Sequence, residues 1–128
     1  MTRLLVREGY QVTAVDPVKG MRKKLSEALP TVPCLEGNSW SIPLHTHSQD
    51  AVMLAQCFHW FDDEQSLSEI HRVLKPGGIL FLIWNMESQE RSEWVKRIRE
   101  LYQVYDEAAP QYRKGNWTKV FQLDSIKE

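Results

Sequence analysis

The chain has 128 residues, 42% hydrophobic and 26% charged, which is enough apolar material for one core and enough charge for its surface. Sixteen basic side chains stand against seventeen acidic ones, and a net charge of −1 supplies no electrostatic footprint for nucleic acid or an anionic membrane surface. Two cysteines without CxxC spacing, no secretory leader pattern and no apolar run of membrane-spanning length point to a reducing, cytoplasmic compartment and to small-molecule partners. Cys34 and Cys57 read as small buried apolar residues.

Leu4, Leu5 and Val6 lead into Gly9, a natural left-handed helix stop, so a helix opens the chain. Residues 11–15 (QVTAV) then read as a strand closed by Asp16-Pro17. Met21, Leu25, Ala28 and Leu29 recur at helical spacing up to Pro30, and residues 32–35 form a short apolar strand that ends in Glu36-Gly37-Asn38. Residues 50–55 (DAVMLA) are a continuous apolar run of strand length, followed by the aromatic FHWF and then by Leu67, Ile70, Val73 and Leu74 on one helical face. Pro76-Gly77-Gly78 ends that helix, and residues 79–84 (ILFLIW) form the most hydrophobic strand. Near-continuous apolar strands separated by helices predict an α/β domain with a parallel sheet covered on both faces. Trp94, Val95, Ile98, Leu101, Tyr102 and Tyr105 predict one long amphipathic helix over 93–105. A loop follows through Pro110 and Gly115, and the terminal stretch is too short to close a further βαβ unit.

Asp16 falls at the carboxyl end of the first strand, where open α/β sheets present their ligand crevice and where a carboxylate accepts the hydrogens of a ribose diol. The same residue type is a favoured cap for the helix beginning near Val18, and one side chain can serve in both ways. Nucleotide-binding βαβ units carry their glycine fingerprint about 20 residues before such an acid. Only Gly9 precedes Asp16 here, so the glycine-rich loop is expected upstream of Met1. Gly37-Asn38-Ser39-Trp40 follows the second strand, where Asn38 either offers its amide to a heterocyclic base or serves as a turn residue tolerant of a left-handed backbone. His45 and His47, two residues apart in a loop with no third ligand nearby, read as exposed histidines and not as zinc ligands. Gln56, Phe58, His59, Trp60 and Phe61 lie past the third strand, at the same sheet edge as Asp16, where aromatics either wall a substrate pocket or fill the core. His59 is placed to act as a base or to orient a substrate, against the plainer reading of a packed, hydrogen-bonded ring.

Taken in order, VTAVDPVKGM, LEGNSWSIPL, SQDAVMLAQCFHWFD, EIHRVLKPGGILFLIWN and the later WV…APQYRKGNW stretch resemble the class I S-adenosylmethionine-dependent methyltransferase family, among its small-molecule and aconitate-type members. Residues 72–78 (RVLKPGG) before an apolar strand are the most specific piece, and the spacing from Asp16 to Asn38 to Gln56 agrees with it. The resemblance implies a Rossmann-like parallel sheet with helices on both faces and S-adenosylmethionine as cofactor. It implies methyl transfer to a small-molecule acceptor, catalysed mainly by alignment of donor and acceptor. It assigns Asp16 to the cofactor ribose, Asn38 and Ser39 to the adenine, Gln56 to the cofactor beside the transferred methyl group, and His59 and Trp60 to the acceptor pocket. No catalytic residue is assigned. Asn38 stands where the family often has an acid, which keeps a hydrogen bond and loses a charge.

The resemblance also implies one partial domain over 1–128, with 1–85 as the cofactor-binding core and 86–128 as a helical and loop extension. The first strand with its glycine-rich loop and the last two strands are expected to be missing, so the chain alone is expected to bind the cofactor feebly. Two other readings stand beside this one. The first is a non-catalytic truncated product or interaction chain of the same family. The second is a nicotinamide-dependent dehydrogenase whose ribose Asp16 would serve, against which the RVLKPGG turn argues.

Overall fold

The computed structural model describes residues 1–106 and 109–127; residues 107 and 108, within the loop expected after Tyr105, and residue 128 lie outside the described set. Helix α1 (Thr2–Arg7) stops where Gly9 turns to φ +88°. Strands β1 (Ala14–Val15) and β2 (Cys34–Leu35) flank α2 (Lys19–Ala28) and pair in parallel, Ala14 with Cys34 and Val15 with Leu35. Then come β3 (Gln49–Ala55), a 3₁₀ turn (Phe58–Trp60), α3 (Glu64–Val73) and β4 (Leu74–Ile83). Helix α4 (Glu93–Tyr102), three further 3₁₀ turns and the short α5 (Asp124–Lys127) complete the chain.

The strands form two two-stranded sheets, β1 with β2 and β3 with β4. Ser48 N–H donates to Val73 O where the second pair begins, and Gln56 N–H donates to Ile83 O where it ends. Start bonded to start and end to end means that β3 and β4 run in the same direction, with α3 as their crossover. Strand β1 is shorter than the 11–15 run suggests, because β2 offers a ladder over two residues alone. Strand β4 is longer than expected and begins directly after α3. The Pro76-Gly77-Gly78 sequence lies inside it as a bulge and not as a turn closing the helix: Gly77 takes φ +79°, and β4 fits two more residues than β3 between the two ladder bonds.

By compactness the chain divides into Met1–Val52 with Gln65–Ile79 and Met53–Glu64 with Leu80–Glu128. The first unit is centred on the apolar side of α3, where Leu67, Ile70 and Val73 are buried together with Val32 and Leu74. The second is built on rings. Phe58 is fully buried against Phe61, Trp117 and Phe121, with centroids 5.7–6.4 Å apart.

Two helical features differ from expectation. Helix α4 gives way to a 3₁₀ turn at Gln103, and its apolar residues Trp94 and Leu101 are 68% and 75% exposed. Its buried residue is Arg99, which bonds the Tyr102 hydroxyl at 2.7 Å, lies over the Tyr102 ring and faces the Glu87 carboxylate at 3.9 Å. Cys34 and Cys57 are half-buried, and no disulfide occurs among the described residues. No helix among them is long and apolar enough to cross a membrane.

Candidate functional site

The first unit gathers Asp16, Asn38 and Ser39 at the carboxyl ends of β1 and β2. Asp16 Oδ1 accepts the Val18 N–H at 2.7 Å, which ties the strand end to the start of α2, and Oδ2 has no hydrogen bond among the described residues. Arg22, one turn into α2, donates to the Asp16 and Pro17 carbonyls at 3.0 and 2.8 Å and to the Glu36 carboxylate, so a single guanidinium joins both strand ends. Gly37 makes the following loop possible. A Cβ there would stand 2.5 Å from Pro43 Cδ and 2.8 Å from Val15 Cγ1, too close for any side chain.

Asn38 Oδ1 accepts the Trp40 N–H at 2.9 Å, and the Asn38 and Ser41 main chains bond each other. Asn38 therefore holds a turn, in an isolated bridge with Ser41 and without the left-handed backbone: His47 (φ +53°) and Gln56 (φ +62°) are the non-glycine residues with positive φ among those described. The amide nitrogen of Asn38 remains as a donor on an exposed side chain. The loop beyond is held by Arg72, the first residue of RVLKPGG, which donates to the Ile42 and Leu44 carbonyls at 2.9 and 3.0 Å. Glu69 accepts from Arg72 at 2.8 Å and from the Ile42 N–H at 2.7 Å. Arg72, and secondarily the Ile42 amide, hold the Glu69 carboxyl below its ordinary value. His45 and His47 are exposed in this loop.

The second unit gathers Gln56 and His59. Gln56 leaves β3 in the left-handed region, with its N–H on Ile83 O and its side-chain amide on Asn85 O, both at 2.9 Å. A non-glycine residue held there stores about 1–3 kcal/mol of strain, a feature that clusters at ligand sites. Gln56, His59, Trp84, Glu87, Arg99 and Arg113 line an open cavity of about 220 Å³. His59 also lines a second cavity of about 340 Å³, with Asp62, Lys114 and Trp117. Trp60 lines neither cavity; it is 59% exposed, its ring centroid 5.7 Å from that of His59. Burial pushes the His59 pKa down, partly opposed by Asp62. His59 Nδ1 accepts the Trp84 indole N–H at 3.0 Å.

Arg22, Arg72 and Trp84 are parts of these sites that the sequence did not single out, although Arg72 lies in its most specific motif.

The family profile described as "Methyltransferase domain" matches residues 1–82. The chain belongs to that methyltransferase family. Among its relatives, an uncharacterised methyltransferase-like protein of Schizosaccharomyces pombe is 35% identical over 93% of this chain and 46% of its own length. An uncharacterised methyltransferase of Mycobacterium tuberculosis is 44% identical over 79% of this chain and 41% of its own. The methyltransferase chain thus spans less than half the length of these relatives. A solved putative S-adenosylmethionine-dependent methyltransferase from Methanococcus maripaludis matches 94% of this chain and 61% of its own at TM-score 0.68 and 16% identity. A second, from Methanosarcina mazei, matches 84% of this chain and 57% of its own at TM-score 0.60 and 19% identity. These likenesses show the Rossmann-like α/β fold.

Proposed function

We propose that the protein carrying this chain transfers a methyl group from S-adenosylmethionine to a small-molecule acceptor in the cytoplasm, and that this chain supplies the nucleoside side of the cofactor site. The observation that carries the reading is Asp16: at the end of a parallel strand, it commits one carboxylate oxygen to the fold and leaves the other for a ligand. A ribose diol needs such an acceptor. Asn38, with its oxygen occupied by Trp40 N–H, offers an amide donor of the kind an adenine ring nitrogen accepts, and Ser39 stands beside it. The residues present therefore fit the nucleoside.

When bound, S-adenosylmethionine supplies a methyl group on a sulfonium, a leaving group that needs no acid. The work left to the chain is alignment and exclusion of water. In this reading Gln56, held by hydrogen bonds to the Ile83 and Asn85 carbonyls, is a cofactor residue, and His59 and Trp60 belong to the acceptor pocket. Two cysteines without CxxC spacing and a near-neutral charge suit the cytoplasmic assignment.

The test is calorimetric titration with S-adenosylhomocysteine. Asp16→Ala is expected to weaken binding by roughly 1.5–3 kcal/mol, the range for losing a charge-assisted bond. Equal affinities for the two proteins would contradict the assignment.

A further inference from the structure

We propose that Trp84 is a positioning residue: its indole N–H, donated to His59 Nδ1 at 3.0 Å, fixes His59 as the tautomer protonated on Nε2, so that His59 meets the methyl acceptor as a hydrogen-bond donor and not as a base. The inference rests on the acceptor-pocket reading of His59 given above. Its physical basis is the inventory of the indole, which has one N–H to give and no acceptor of its own. If Nδ1 carried the proton, as in the other neutral tautomer or in the imidazolium, two N–H groups would face each other at hydrogen-bond distance. The lone pair is therefore on Nδ1, already used, and Nε2 has a proton to offer.

Trp84 is well held for this task. Its ring lies 4.5 Å from Tyr112 and 4.7 Å from Trp117, and Trp117 in turn donates its own indole N–H to the Tyr112 carbonyl at 3.1 Å. Moving the donor away from His59 means breaking a three-ring contact.

The charged groups around His59 do not restore a basic Nε2. Asp62 favours the imidazolium, while Arg99, Arg113 and Lys114 bring positive charge to the same cavities, and Glu87 is engaged by Tyr102 and Arg99. Burial acts in the same direction as the indole bond, against protonation. The acceptor atom that meets Nε2 is then an oxygen or nitrogen lone pair.

The experiment is long-range ¹H–¹⁵N correlation of the histidine side chains across pH, on the whole chain, first unmodified and then as Trp84→Phe, which keeps a ring in the stack and removes the donor. The unmodified chain is expected to show His59 with Nε2 protonated and Nδ1 bare through the neutral range. In Trp84→Phe the ¹⁵N pattern should move toward a mixture of tautomers, and the His59 titration should shift upward. An Nδ1-protonated His59 in the unmodified chain would overturn the proposal, as would a Trp84→Phe chain with unchanged pattern and titration. Should the variant not fold, the spectrum of the unmodified chain decides alone. Neither readout involves cofactor or acceptor, so failure to bind S-adenosylhomocysteine would remove the proposed function and leave this result standing.

Discussion

Asp16 gives one carboxylate oxygen to the fold, and the proposed ligand role would use the other, which makes the two roles separable. Asp16→Asn keeps an acceptor for the Val18 N–H, whereas Asp16→Ala removes it at a cost of about 0.5–1.5 kcal/mol, the range for a single hydrogen bond. Thermal unfolding should therefore separate the two substitutions, while titration with S-adenosylhomocysteine should show both weakened. An Asn variant as unstable as the Ala variant would contradict the structural role of Oδ1, which holds the turn before α2 and does not cap the helix. Gly37 admits a sharper test at the neighbouring strand end. Gly37→Ala places a methyl group against Pro43, Val15 and the Ser41 carbonyl, and overpacking of this kind costs about 1–3 kcal/mol, measurable by urea unfolding. Asp16 was legible because its place after an apolar run is a property of sequence. Arg22 was not, because in the run KGMRKK it looks like one more solvated cation of an exposed helix face; its partners are two carbonyls and a carboxylate that only folding brings near. Trp84 was hidden for a related reason. It ends an apolar strand and reads as core, while its N–H finds a ring 25 positions earlier.

Among the elements, α2, β3 and α3 fall within a few residues of their sequence expectation. The start of β4 does not. Pro and Gly punctuate a chain, but they also make bulges, and the partner strand decides between the two; here Asp50 on β3 pairs with Lys75 beside the bulge at 2.7 Å. Helix α4 misleads in another way, because hydrophobic spacing predicts a helix without predicting which face is covered. Helix α3 has a pH-dependent grip on the loop beyond β2. The Glu69 carboxyl is held below its unfolded value by Arg72, so its contribution is present above the ordinary carboxylate range and is lost as pH falls through the lowered folded value. Urea unfolding followed across the acidic range should show stability falling there, and Glu69→Gln should flatten that dependence. An unchanged acid limb in the variant would show that other carboxylates control it.

For the whole molecule, the apolar surface left uncovered matters most. Along β4, Ile79, Phe81 and Ile83 are exposed at 54%, 45% and 41%, a row of β-favouring apolar side chains of the kind that drives self-association. Phe81→Thr is expected to reduce concentration-dependent association in sedimentation velocity while changing unfolding free energy by no more than about 0.5 kcal/mol, as for other exposed sites. Association unaffected by the change would place the sticky surface elsewhere. The central claim, that the carboxyl ends of β1 and β2 form the nucleoside site of a methyltransferase cofactor, is tested most directly by amide chemical-shift mapping with S-adenosylhomocysteine, which reports weak and tight binding alike. The account predicts perturbed amides at Asp16, Val18 and Gly37 to Ser39 in the unmodified chain, and their loss in Asp16→Ala. Shifts confined to other residues, or shifts at these residues that survive in Asp16→Ala, would contradict it.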